Sequence, residues 1–283
     1  DDVGGKSPAR IEHALVAQTD ERVAHSALAL GNRADAEIIK LVVIAYYLLD
    51  GAESRWTKAE YDNLWADNAS ADRLFAPYIF DSFYQDLCYD RTSGDYFVLN
   101  PDITYDDADL RKDWAAYTVN MNGGQVQTLG KYNRMYYDNV TVRYINTLRY
   151  SGVCFTVAEA YARDLQYDKA RQTVNTYLEA YGAQPLDDEL EGEDLVEAIL
   201  LEKQKEFAGE GVRLFDLKRH GKALVKKGNF GVGTSVTIQP DDYRWLLPIP
   251  QPEYKYNDNI TQNNPGWPFI KTEQILYKTT VQL

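Results

Sequence analysis

The stretch that most constrains this chain runs from Leu195 to Gly221, LVEAILLEKQKEFAGEGVRLFDLKRHG. Val196, Ile199, Leu200 and Phe207 recur at helical spacing, which predicts one helix that buries this stripe. Gly209 and Gly211 interrupt it, because glycine is a poor helix former and a good C-cap. A second short helix is expected to carry Val212, Leu214, Phe215 and Leu217, with Gly221 placed to end it. Glu202, Glu206, Glu210, Arg213, Asp216 and Arg219 thread charge through both pieces. The pattern reads as a tight helix–turn–helix with ion pairs across the turn.

The rest of the chain must supply what that helical pair packs on. At 283 residues it is long enough for one large domain or two ordinary ones. A formal charge of −13 repels phosphate backbones, so nucleic acid is not the expected partner, and neutral ligands or cations suit the surface better. The longest apolar run, Leu41 to Leu49, is too short to span a bilayer. The first residues, DDVGGKSPAR, contain no signal-peptide apolar core, so the chain reads as a mature or trimmed product. Cys88 and Cys154 allow at most one disulfide. Cys154 falls in an apolar helical stripe, where a buried thiol is the plainer reading.

Residues 10–67 read as consecutive helices: Arg10–Leu30, Asp35–Leu49 and Trp56–Trp65. From 68 to 141 the character changes to a loop-rich insertion of Asn, Asp, Gly and aromatics. Tyr96–Leu99 and Trp114–Asn120 are expected short strands, with Asn122-Gly123-Gly124 as a turn. A long irregular stretch inside a helical chain is unusual without a role. Helices return over 142–221, with Val142–Asp164 followed by Tyr167–Tyr181. Ala158, Tyr161 and Ala170 keep the spacing of tetratricopeptide small and aromatic positions, and Ala45, Leu48 and Ala59 nearly repeat it. Generic helical hairpins are the alternative. Residues 222–283 form an extended tail, in which Val236–Ile238 and Arg244–Leu247 read as strands and the prolines of Leu247-Pro248-Ile249-Pro250 oppose regular structure.

Catalytic signatures are missing. His13, His25 and His220 stand in unrelated contexts, and no HExxH, CxxC or P-loop pattern occurs. Gly228-x-x-Gly231-x-Gly233 precedes a Thr/Val strand and not a helix, so it is a poor phosphate cradle. Glu202, Glu206, Arg213 and Asp216 are a tempting constellation, for which an ion-pair network is the structural reading. Asp102, Asp106, Asp107 and Asp109 lack the ligand order of a calcium loop and read as a solvated acidic turn. No cofactor and no metal is expected.

The aromatics are the outlier: 22 tyrosines, nine phenylalanines and five tryptophans. Sugar rings present C–H faces that pack on flat side chains, while their hydroxyls bond to Asn, Asp, Arg and Lys. Within the insertion the candidate ligand contacts are Tyr96, Tyr105, Trp114, Tyr117, Asn120, Arg134 and Tyr136. Each aromatic has a core reading beside it. Trp267, after Pro-Gly, is expected to pin the tail to the body.

Ile199, Glu202, Lys205, Glu206, Phe207, Glu210, Gly211, Arg213, Phe215, Asp216, Leu217, Arg219 and Gly221 resemble the C-terminal signature of the SusD/RagB family. The Leu-Pro-Ile-Pro run and Gln262-Asn263-Asn264-Pro265-Gly266-Trp267 resemble its terminal element, with Arg149 and Ala158-Glu159-Ala160 upstream. Asp109–Arg111 and Lys131-Tyr132 stand where that family carries Asp-x-Arg and Lys-Tyr elements. The resemblance implies a mainly α fold: a single SusD-like superhelix of tetratricopeptide-like hairpins over 1–283, with the insertion on the ligand face and a few short strands. It implies a non-catalytic cell-surface protein that captures oligosaccharide or polysaccharide and passes it to a SusC-like TonB-dependent outer-membrane transporter. A peptide-binding RagB-like protein or a helical-repeat adaptor is the alternative. The implied location is the bacterial outer membrane, lipid-anchored through a cysteine outside this chain. Members of that family are usually longer, with an N-terminal helical pair for which this chain lacks room.

Overall fold

A computed structural model describes residues 52–66, 68–77, 89–90, 95–96, 99–100, 103–121, 124–131, 144–226 and 235–269. The helices expected over Arg10–Leu30 and Asp35–Leu49 lie outside these residues, as do Cys88, Arg134, Tyr136 and Gly228–Gly233. The chain divides into two compact units, residues 1–212 and 213–283. The described part is mainly helical, as expected.

In the first unit a 3-10 turn, Ala52–Arg55, leads into α1, Lys58–Trp65. Thr57 caps α1: its side chain accepts from the Glu60 amide at 3.2 Å, which satisfies one of the helix's orphan donors. Strand β1, Arg73–Phe75, pairs antiparallel with β6, Leu148–Arg149. Between them lie β2, Tyr89–Asp90, paired with β3, Asp95–Tyr96. Then come the short helix α2, Lys112–Ala115, and the hairpin of β4, Ala116–Met121, and β5, Gly124–Leu129.

The helical body is α3, Tyr150–Arg163, α4, Tyr167–Ala180, and α5, Gly192–Glu206. On α4 the buried residues Ala170, Val174, Tyr177 and Leu178, followed by Tyr181 just past its end, recur at three and four, so one face of the helix is apolar. On α5 the predicted stripe is the buried one: Val196, Ile199, Leu200 and, just past the helix, Phe207. Together with Trp56, Tyr61, Leu64, Trp65, Cys154 and Phe155 these side chains form one core. Burying each large side chain contributes about 1.5–3 kcal/mol. Ala158 and Ala170 are fully buried where α3 meets α4, so small side chains permit the close approach. The Cys154 thiol is buried and faces the Thr173 carbonyl at 3.4 Å, in keeping with a buried-thiol role.

Left-handed backbone shapes several of the described turns. Gly209, with φ of +81°, lets the chain leave α5, and a Cβ there would stand 2.3 Å from Leu129 Cδ2. The turn from α3 to α4 places a non-glycine, Leu165, at φ of +59° with 72% of its surface exposed. Amides of Asp164, Leu165 and Gln166 close that turn on carbonyls of Ala160, Ala162 and Tyr161.

The second unit contains α6, Arg213–Arg219, the hairpin of β7, Leu224–Lys226, and β8, Val236–Ile238, a 3-10 turn at Tyr243–Trp245, and α7, Gln251–Tyr256. Gly221, at φ of +58°, follows α6 as expected. The short helix carries Leu214, Phe215 and Leu217 as expected; Leu214 and Phe215 are exposed, and Asp216 is the residue that it buries, holding Arg219 at 2.8 Å. Two expectations need correction here. The strand expected over Arg244–Leu247 is a 3-10 turn, because the Asp242 carboxylate accepts from the Arg244 amide at 2.9 Å and winds the chain. Prolines do not keep the tail irregular throughout. Pro252 stands in the first turn of α7, where its missing N–H leaves no bond unmade. The hydrogen bond and ring contact of Trp267 lie within the tail: its indole donates to the Leu246 carbonyl at 2.7 Å and its ring meets Tyr243 edge-on.

Candidate functional site

The β4–β5 hairpin is the most regular piece of the insertion. Its register pairs Ala116 with Leu129, Thr118 with Gln127 and Asn120 with Gln125, and the Leu99 amide extends β5 by donating to Gln127 O at 3.0 Å. Cross-strand partners share a face, so Thr118, Gln127, Asn120 and Gln125 lie together. All four are exposed. That face is uncharged and rich in hydrogen-bonding groups. The opposite face carries half-buried Tyr117 and buried Thr128, whose hydroxyl donates to the Tyr117 carbonyl at 3.0 Å.

Below the hairpin two of the sequence-predicted aromatics are built into the body. Trp114 lies on α2 and not on a strand, since β4 starts at Ala116. Its indole donates to Asp62 Oδ1 at 2.6 Å, and Lys58 holds the same carboxylate at 2.8 Å. The Tyr105 hydroxyl donates to the Lys205 carbonyl at 2.8 Å, and burial pushes its pKa well above the usual phenol range. Both rings pack partly buried against the core. Tyr96 sits in β3 opposite Tyr89, apart from the hairpin sheet. Tyr117 and Asn120 stand on β4, on opposite faces. Arg134 and Tyr136 lie outside the described residues.

What sequence reasoning did not assemble is a buried charge seam. Asp109 and Arg111 form a fork, with the guanidinium donating to both carboxylate oxygens at 2.7–3.2 Å. The same Arg111 reaches Glu202 of α5 at 2.7 Å, and Lys205 holds the other oxygen of Glu202 at 2.6 Å. Lys131, just past β5, donates to the Glu206 carbonyl and to Glu210 at 2.6 Å, with its ammonium 4.8 Å from the Trp65 ring centroid. Arg149 bonds Asp72, Glu206 and Glu210 at 2.6–3.0 Å and lies 4.6 Å over the Phe207 ring. Asp72 also accepts from the amide and hydroxyl of Ser151.

Burial alone would neutralise these groups. It works to raise the Glu206 carboxyl, but Arg149, Lys131 and Arg111 outweigh it and hold that group below its ordinary value. Burial opposes charge on Arg149, and Glu210, Glu206 and Asp72 keep it ionised. Burial lowers Lys131 in spite of Glu210 and Glu206. The sequence reading paired the carboxylates of α5 with charges across the glycine turn. Among the described residues these carboxylates bond Lys205 on the same helix and cations from the middle of the chain. Each acid of the tempting Glu202, Glu206 pair is bonded to a cation, so the arrangement is structural: it ties the insertion to α5. Asp107 and Asp109 of the acidic turn are likewise taken, by Lys112 and Arg111.

Residues 29–267 match the family model of the SusD family. No curated protein matches the sequence. Among solved structures, a SusD superfamily protein from Bacteroides vulgatus ATCC 8482 is similar at a TM-score of 0.67 and 22% identity, over 83% of this chain and 56% of that one. A SusD superfamily protein from Bacteroides thetaiotaomicron VPI-5482 is similar at 0.65 and 24%, over 82% and 57%. A SusD-like carbohydrate binding protein from Bacteroides vulgatus ATCC 8482 is similar at 0.59 and 19%, over 80% and 56%. The chain thus spans little more than half the length of these relatives. The helical fold is shared with these structures, the family model matches across most of the sequence, and the chain belongs to the SusD family.

Proposed function

We propose that this chain is a non-catalytic glycan-binding protein of a bacterial cell surface. It captures oligosaccharide and passes it to a SusC-like TonB-dependent transporter in the outer membrane, to which a lipid anchor keeps it close. The observation that carries this reading is the SusD family match over residues 29–267. The similarity to a SusD-like carbohydrate binding protein supports sugar as the ligand class. Locally, the exposed uncharged face of Thr118, Asn120, Gln125 and Gln127 suits neutral hydroxyl-rich ligands.

Tyr117 and Asn120 contribute from β4. Trp114 and Tyr105, whose polar atoms are committed to Asp62 and Lys205, act through their ring faces and through rigid support of the hairpin. Tyr96, Arg134 and Tyr136 complete the proposed set. Native affinity electrophoresis against a polysaccharide panel tests the reading. Retardation by one glycan, weakened at least tenfold in Asn120→Ala with Tyr117→Ala, is the expected outcome. Retardation unchanged in that variant, with loss in Trp114→Ala, moves the contact to the base of the hairpin. Binding of extended peptides with no glycan retained overturns the sugar reading.

A further inference from the structure

The five tryptophans of the chain are held in different ways. Trp56 and Trp65 lie deep in the core, at 4% and 0% exposure. Trp245 and Trp267 donate their indole N–H to the backbone carbonyls of Gln239 and Leu246. Trp114 donates to a carboxylate, Asp62 Oδ1, at 2.6 Å. Neither of these two partners is core: the Trp114 ring is half-buried, and 38% of the Asp62 side chain is exposed.

The carboxylate is itself held. Lys58 stands four residues earlier on the same face of α1 and donates to both oxygens of Asp62, at 2.8 and 3.1 Å. The same ammonium lies 3.9 Å from Asp113, the neighbour of Trp114. Helix α2, which carries Trp114, is a single turn of four residues and cannot hold an aromatic plane by itself. The bond to Asp62 supplies what α2 lacks. It grips the ring at its edge, in the plane, and so fixes both side-chain torsions of the tryptophan. A bond to an ionised acceptor is also shorter and stronger than one to a neutral oxygen. Donation to an anion pushes electron density into the indole and makes its faces more negative. Sugar C–H groups, which carry partial positive charge, pack better on such a face.

We propose that Asp62 is a positioning residue of the ligand site: it sets the plane of Trp114 and enriches the ring face on which a sugar packs, while Lys58 keeps the carboxylate in place. The proposal rests on the glycan-binding reading above.

The test uses amylopectin, xylan, galactan and mannan in affinity electrophoresis of the parent, Asp62→Asn and Asp62→Ala. Retardation by the retained polysaccharide is expected to weaken about threefold in the Asn variant, which keeps an acceptor but loses the charge, and about tenfold in the Ala variant. The indole N–H signal of Trp114, assigned in 1H–15N spectra by its loss in Trp114→Phe, is expected to move upfield in Asp62→Asn. In the parent it is expected to shift when an oligosaccharide of the retained glycan is added. Variants retarded like the parent, or a Trp114 signal that the oligosaccharide leaves in place, overturn the proposal while the glycan reading stands. A parent that none of the four polysaccharides retards overturns the glycan reading and this proposal with it. Asp62→Asn, which is isosteric, decides the matter where the Ala variant fails to fold.

Discussion

The two units use the same charged residue types in opposite ways. Residues 1–212 have exposed local pairs such as Lys58 with Asp62, but also buried pairs that join positions far apart in sequence: Arg111 with Glu202, Lys131 with Glu210, Arg149 with Asp72 and Glu206. In residues 213–283 the described pairs are local: Asp216 with Arg219 within α6, and Asp242 with Arg244 within one turn. Large apolar side chains follow the same contrast. The first unit gathers most of its described large apolar side chains into one core, Leu165, Leu148 and Phe75 staying exposed, while Phe215, Leu247 and Tyr256 of the second are at least 70% exposed. A buried long-range pair specifies which segments meet, because breaking it strands a charge away from water. A local exposed pair only shapes a turn.

Arg149→Met strikes the contrast hardest. It leaves Asp72, Glu206 and Glu210 buried without their shared cation, and a loss of about 3–5 kcal/mol in unfolding free energy is expected by urea titration. A loss within 1 kcal/mol of that in a surface pair would erase the distinction between the units. Gly209→Ala is the next test. The new Cβ meets Leu129 in left-handed backbone, and a cost of about 2 kcal/mol is expected by the same titration. Leu165→Gly should go the other way. It relieves an exposed left-handed leucine and is expected to stabilise by about 0.5–1 kcal/mol, read as a small rise in Tm.

The smallest effect belongs to the second unit. Hydrogen bonds from the Arg244 guanidinium and amide lower the Asp242 carboxyl from 3.8 to about 2. A lowered folded-state value means that the ionised form favours folding. The contribution is therefore present above pH 3.8 and fades as pH falls toward 2. Titration of the Asp242 carboxyl carbon by NMR should show the low midpoint, and Arg244→Ala should move it back toward the ordinary value.

Legibility in the sequence follows the range of the interaction. The stripe of Val196, Ile199, Leu200 and Phe207 is readable because a helix repeats its contacts every three or four residues. Gly209 and Gly221 are readable for the same local reason. Helix α2 is not, because four residues carry no period, and so Trp114 reads as strand when it begins a strand's approach. Leu214 and Phe215 are legible as helix residues, but apolar composition does not say which face is covered, and both are exposed. The charge seam was legible only in pieces: Asp109, Arg111, Lys131 and Arg149 stood out singly. The α5-side partners of Arg111, Lys131 and Arg149 lie 57 to 91 residues away, and no local pattern encodes that pairing. The proposed ligand face has the same history, since Asn120 was visible but its alignment with Gln125 and Gln127 needs the register of the hairpin.

A double-mutant cycle on Arg111 and Glu202, using Arg111→Met and Glu202→Gln, measures directly whether the insertion is held to α5 by this seam. The expected coupling is at least about 1.5 kcal/mol, because the pair is buried and each partner's loss strands the other. A coupling below about 0.5 kcal/mol would mean that the two groups act independently, and that packing alone seats the hairpin on the helices.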